Sequence, residues 1–145
     1  MQDQRAELEW RDGRVPVSVQ FDDPYFSLED GMAETAHVFL GGNDLPARFC
    51  DGFHVAELGF GTGLNALAAL ALWRAHAAAG AVLTYTSFER FPMAAEDRAR
   101  ALARWPDLAP LAGELAHALA GGAVLGLTLT LVEGDARQTV PGWAG

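Results

Sequence analysis

The 145-residue chain contains no lysine: all ten basic residues are arginine, set against 19 acidic residues, for a net charge of −9. So acidic a chain lacks the broad positive surface that sequence-independent nucleic-acid binding needs, because phosphate contacts require clustered cations. A nucleic-acid substrate held by a small local patch is not excluded. Cysteine is almost missing too. Cys50 is the only one, so neither an internal disulfide nor a thiolate metal site can form, and a reducing compartment is the expectation. Long apolar runs are absent. The longest, Leu64 to Leu72, is interrupted by Asn65 and ends at Trp73-Arg74, too short to cross a bilayer. The start, Met1-Gln2-Asp3-Gln4, is polar and shows no basic-then-apolar leader. The expected location is cytoplasmic, with no membrane partner. What is present is half hydrophobic and one-fifth charged, the composition of a soluble globular chain of one domain or part of one.

The pattern along the chain changes near residue 50. Before it, Val15 to Phe21 alternates with period two, and Pro16 predicts an edge strand. Asp22-Asp23-Pro24 signals a turn. Gly31 to Leu40 reads as a short helix ended by a left-handed cap at Gly41-Gly42. After residue 50, strands and helices alternate. Phe53 to Leu58 reads as a buried-type strand, Thr62 to Ala79 as an alanine- and leucine-rich helix, and Val82 to Phe88 as a second strand. Helices follow over Met93 to Trp105 and Leu108 to Ala120, then a third strand over Leu127 to Val132 and a helical turn from Ala136. Such alternation implies parallel strands joined by helical crossovers, an α/β layered sheet. Three core strands make a thin open sheet, and the expectation is the front half of a domain.

The strongest chemical signal is Glu57-Leu58-Gly59-Phe60-Gly61-Thr62-Gly63, placed after a strand and opening a helix. Glycines there let the backbone turn sharply and let a ligand lie against it. The spacing is not that of a dinucleotide fingerprint, since position 64 is leucine, and no Gly-Lys-Ser/Thr follows for a nucleoside triphosphate. Glu57 would repel a pyrophosphate but suits a cationic ligand. S-adenosylmethionine carries a sulfonium, an ammonium and a carboxylate. Glu57 can neutralise the cationic groups, and the N–H groups opening the next helix can take the carboxylate. Glu89 ends the second strand, where a carboxylate can accept both ribose hydroxyls. Asp135, within Gly134-Asp135-Ala136, ends the third strand, where its side chain or adjacent backbone can meet the adenine edge. Other readings stand beside these: a glycine turn without a ligand, a solvated Glu89–Arg90 ion pair, and Asp135 as the cap of the turn that follows it. His37, His54, His76 and His117 lack metal-ligand spacing, and Trp73 and Trp105 read as packing residues.

Several segments together resemble a known family. Phe21-Asp22-Asp23-Pro24-Tyr25-Phe26-Ser27, Val38-Phe39-Leu40-Gly41-Gly42-Asn43, Glu57 through Asn65, Ser87-Phe88-Glu89-Arg90-Phe91-Pro92 and Trp105-Pro106-Asp107-Leu108 are similar to the methyltransferase domain of bacterial bifunctional proteins that make 5-methylaminomethyl-2-thiouridine in tRNA. The resemblance runs from about Leu8 to Asp135. It implies a Rossmann-like, class I S-adenosylmethionine-dependent methyltransferase fold, amino-terminal half only: parallel strands 1–3 with flanking helices plus an amino-terminal β/α extension. It implies residues 1–50 as an extension covering the cofactor site and 51–145 as the first half of the cofactor-binding domain. By match, Glu57, Gly59, Phe60, Gly61, Thr62, Gly63, Asn65, Glu89, Arg90, Gly134, Asp135 and Ala136 would bind the cofactor, with Tyr25 and Asn43 covering it. The implied reaction is methylation of the aminomethyl group on the wobble uridine, with tRNA as substrate. A flavin-dependent oxidase, fused or separate, is the implied partner, and FAD belongs only to such a part beyond this chain. The family's Asp-Gly-Phe-x-Pro segment, which faces the amine, is not in these residues, so the catalytic group is expected after Gly145. Two alternatives remain at this stage: a non-catalytic cofactor-binding fragment, and a methyltransferase of the same fold with a small-molecule or protein substrate.

Overall fold

Among the described residues, two separate three-stranded sheets organise the chain. The computed structural model describes residues 5–13, 15–21, 23–25 and 31–144. Met1 to Gln4, Asp22 and the Phe26-Ser27 part of the quoted motif lie outside them. The first sheet is antiparallel and comprises β1 (Leu8–Arg11), β2 (Val15–Ser18) and β3 (Asp23–Pro24), in that order. This corrects the edge-strand expectation for Pro16, because β2 is the middle strand. Pro16 stands across from Trp10 of β1, while β3 pairs only with Val17 and Ser18. The Pro16 carbonyl accepts a hydrogen bond from the Tyr25 N–H at 3.0 Å, which ties Tyr25 to the sheet.

The connection to the second sheet is a single helical stretch that changes pitch. α1 (Gly31–Thr35) widens into a π-helical turn over Ala36–Leu40 and tightens into a 3-10 turn over Gly41–Asn43. The Gly41 N–H donates to the carbonyl of Ala36, five residues back. The run His37-Val38-Phe39-Leu40 contains few strong helix formers, and wide turns of this kind often accompany functional sites. The expected cap is corrected as well. Gly41 is right-handed, and the left-handed residue is Asp44, at φ 55°.

The second sheet is parallel, with β4 (His54–Leu58), β5 (Leu83–Glu89) and β6 (Leu127–Glu133) in sequence order. β4 is followed by α2 (Leu64–His76), and β5 by α3 (Ala95–Leu102) and α4 (Ala109–Leu119). α5 (Ala136–Thr139) follows β6. The elements expected from residue 50 onward are therefore all present, with α2 and α3 shorter at both ends than the apolar pattern suggested. Pleating separates the two faces of the sheet. Val55, Leu83, Tyr85 and Leu127 are buried in one core with Leu67, Leu70 and Trp73 of α2 and Leu115 of α4. Trp73 is a packing residue, edge-on to Phe49 at 4.9 Å. On the other face His54, Ala56 and Leu58 are exposed, and Trp143 lies edge-on to His54 and Phe88 at 5.4 and 5.5 Å. Among the described residues no helix is long and apolar enough to cross a membrane.

Candidate functional site

The carboxyl ends of β4, β5 and β6 stand side by side, the place where open α/β sheets bind ligands. Register aligns Glu57 with Ser87 and Glu89 with Glu133. Between β4 and α2 the chain makes the glycine turn, with Gly59, Gly61 and Gly63 all at positive φ (84°, 57° and 88°). A side chain at Gly61 would sit 3.1 Å from the ring of Tyr25, so the aromatic ring packs directly on the turn. A side chain at Gly63 would meet the Phe60 ring at 3.0 Å and Leu115 at 3.2 Å. The loop is thus locked from both sides. α2 opens with no side-chain cap; the Thr62 hydroxyl accepts the Leu64 N–H at 3.3 Å.

A cleft of about 1120 Å³ lies over this turn. Its floor includes Gly59, Phe60, Gly61, Thr62, Leu64, Asn65 and Glu89. The antiparallel sheet contributes Ser18, Val19, Gln20, Phe21 and Tyr25, and the helical connection contributes Glu34, Thr35, Val38, Phe39 and Asn43. Tyr25 and Asn43, expected as a cover, both line the cleft, with the Tyr25 ring packed against the glycine turn at Gly61. The Asn43 side-chain amide donates to the Phe39 carbonyl at 2.6 Å, which fixes its orientation.

The three strand-tip acids differ sharply. Glu89 accepts the Gly61 N–H on one oxygen and the Phe91 N–H on the other, each at 3.1 Å. Each carboxylate oxygen keeps a further lone pair for a hydroxyl donor. The alternative Glu89–Arg90 ion pair is not formed. Arg90 instead lies 3.7 Å from Asp135 and over the Phe91 ring at 5.1 Å. Glu57 is buried just below the floor, behind Asn65, whose amide donates to Oε2 at 3.5 Å. No hydrogen bond of good geometry reaches its Oε1 or the buried hydroxyls of Tyr85 and Ser87, which nonetheless lie close beside it. Burial pushes the Glu57 carboxyl above its ordinary range, and the nearby hydroxyls of Tyr85 and Ser87 only partly offset this; Glu89 adds to the upward push. Tyr85 is itself pushed far up by burial and by Glu57. Asp135 caps α5 by accepting the Arg137 N–H at 3.0 Å and forms a close ion pair with the Arg137 side chain. Those contacts hold its carboxyl down to about 2.

Glu57, Glu89 and the loop from Gly59 to Asn65 are thus gathered at one place, and Tyr25 and Asn43 line the cleft beside them. Gly134, Asp135 and Ala136 stand at the neighbouring tip of β6 and Arg90 just past β5, outside the lining, where Gly134 donates its N–H to the Glu89 carbonyl at 2.9 Å. Sequence reasoning missed Tyr85 and Ser87, which it took only as strand formers. The signal was available: both alternate onto the face that carries Glu57, where apolar residues are expected. It also missed Phe91 and Glu34 in the cleft wall. No group of three or more histidine, cysteine or acidic side chains suited to a metal ion occurs among the described residues.

A ligand that matches this arrangement carries a cationic group for the buried carboxyl and paired hydroxyls for Glu89. The fold and the glycine-turn cleft define the class: a Rossmann-like α/β sheet with a ligand cleft at the carboxyl ends of its strands. In keeping with this, the structure of MnmC2 from Aquifex aeolicus superposes with a TM-score of 0.64 at 21% identity, over 99% of this chain and 47% of that one. Over nearly its whole length the chain is similar to a part of the tRNA 5-methylaminomethyl-2-thiouridine biosynthesis bifunctional protein MnmC. It is 44% identical to the Chromobacterium violaceum protein over 153 residues and 46% identical to that of Pseudomonas aeruginosa over 155 residues. These matches cover 94% and 95% of the chain, which spans 23% of the length of either relative. No family model matches it.

Proposed function

We propose that this chain is the cofactor-binding part of an S-adenosylmethionine-dependent methyltransferase that modifies the aminomethyl group on the wobble uridine of tRNA. The observation that carries the reading is the pairing of a buried acid, Glu57, lacking a well-formed hydrogen bond at one oxygen, with a rigidly held acid, Glu89, on either side of a positive-φ glycine turn. Glu57, with Asn65, receives the ammonium of the methionine end. Glu89 accepts the ribose hydroxyls. The uncapped start of α2 takes the carboxylate. Arg90, Gly134, Asp135 and Ala136 bound the adenine end, where backbone rather than the engaged Asp135 carboxylate offers the polar contacts. Residues 1–50 serve as the cover and 51–145 as the first half of the binding domain, working in the cytoplasm.

The bound cofactor supplies an electrophilic methyl group. The chain's contribution is orientation and exclusion of water: Tyr25 packs on Gly61 and shields the cleft beside the turn. Alignment of this kind can lower a barrier by several kcal/mol. The acceptor amine must be neutral to react, so its proton needs an acceptor within reach, which we place outside this chain. A flavin-dependent oxidase acting on the same uridine, with its FAD, is likewise placed outside it. The test is transfer of labelled methyl from S-adenosylmethionine to tRNA carrying the unmethylated aminomethyl base, using the full-length protein that contains this chain. Label at the wobble uridine, lost in Glu89→Ala, is expected. Label that appears only in small metabolites or in protein overturns the substrate assignment.

A further inference from the structure

Three polar groups on one buried face of the parallel sheet, Glu57 Oε1, the Tyr85 hydroxyl and the Ser87 hydroxyl, lack a hydrogen bond of good geometry, although both hydroxyls lie close enough to Glu57 to favour its charged form. Tyr85 is 1% exposed, Ser87 0% and Glu57 9%. Three adjacent groups without well-formed hydrogen bonds are uncommon in a packed core. They are also neighbours by register. Ser87 stands directly across from Glu57 on β5, and Tyr85 is one pleat below on the same face. The one side chain that reaches Glu57 from the cleft floor is Asn65, at 3.5 Å.

We propose that Tyr85 and Ser87 are positioning residues that ready Glu57 for a cation, and that ligand capture at this carboxyl expels a proton. The proposal rests on the cofactor reading given above. In the ligand-free chain the carboxyl sits with two hydroxyls, beside one acid, Glu89, and one neutral amide, Asn65. The cleft lining also carries Glu7, Glu34, Tyr25 and Arg5. Burial and Glu89 both favour the neutral acid. When an ammonium arrives, the proton on Glu57 leaves to solvent and the ammonium keeps all of its own. The new carboxylate then accepts from the ligand, from Asn65 and from the two hydroxyls, so each of these oxygens gains a well-formed hydrogen bond. Tyr85 and Ser87 do not touch the ligand; they act through Glu57.

The test is calorimetric titration with S-adenosylmethionine between pH 5 and pH 7, in two buffers of different ionisation enthalpy. Below pH 7 the ligand's amine stays charged, since an α-amino group titrates near 7.7–8.0. Over the range in which burial keeps the free carboxyl neutral, affinity is expected to rise with pH by up to about tenfold per unit, with up to one proton released per ligand. Removing either hydroxyl, in Tyr85→Phe or Ser87→Ala, moves this rise to higher pH while leaving the high-pH affinity within reach of the parent. A purely structural role would instead weaken binding equally at every pH. A carbon-13 titration of the Glu57 carboxyl in the ligand-free chain gives an independent reading, and a midpoint at the ordinary carboxyl value contradicts the proposal. Binding that is flat with pH and releases no proton overturns the proposal and leaves the cofactor reading standing. No binding at any pH by a cooperatively melting chain overturns both.

Discussion

Glu57 and Asp135 are both strand-tip acids, yet the structure treats them in opposite ways. Asp135 is partly exposed, caps its helix and is paired with Arg137 and Arg90, which hold it down to about 2. Glu57 is buried, lacks a well-formed hydrogen bond at one oxygen and is pushed up. One acid has satisfied its charge within the chain, and the other has not. Position at a strand tip therefore does not define a ligand contact. The unsatisfied group is the one poised for a partner, because a buried charge without a counter-ion is what binding can relieve.

The largest effect that tests this contrast is Glu57→Gln. Loss of a charge-assisted contact worth about 1.5–3 kcal/mol should weaken S-adenosylmethionine binding roughly tenfold to a hundredfold. Next comes Gly63→Ala. It forces a side chain into positive φ against Phe60 and Leu115 and should lower stability by about 1–3 kcal/mol in thermal melts. pH gives a third test. For an acid raised in the folded state, the stabilising contribution is present below its unfolded pKa and is lost as pH rises through the folded value. Glu57 therefore destabilises the ligand-free fold at neutral pH, and Glu57→Gln should melt higher than the parent there, with the gap closing as pH falls toward the ordinary 4.5. Asp135 carries the opposite sign. Its contribution is present above 3.8 and is lost as pH falls through about 2. The smallest effect is expected for Asp135→Asn, which should change cofactor affinity by no more than about twofold, since its ion pairs are solvent-screened.

Much of the parallel half was legible because its signals are local. The β-branched run around Tyr85, the alanine-leucine helix and the glycine turn each fit a single period. The amino-terminal half was harder. Pro16 suggested an edge, but β3 is two residues long and a partner that short leaves no mark in the sequence. The π-helical turn over Ala36–Leu40 also escaped, since its five-residue bond to Gly41 shares its apolar spacing with an ordinary helix. At the site, composition at the strand tips was readable, whereas engagement was not. Arg137, two residues after Asp135, is what removes that acid from the set, and Tyr85 and Ser87 join Glu57 only through inter-strand register.

The most direct test is titration of the folded chain with sinefungin, an amine analogue of S-adenosylmethionine, in parallel with its Glu57→Gln and Asp135→Asn variants. Saturable binding that falls sharply in the first variant and stays nearly unchanged in the second is the predicted result. A cooperatively folded chain that binds no analogue, or one whose affinity depends on Asp135 and not on Glu57, would contradict it.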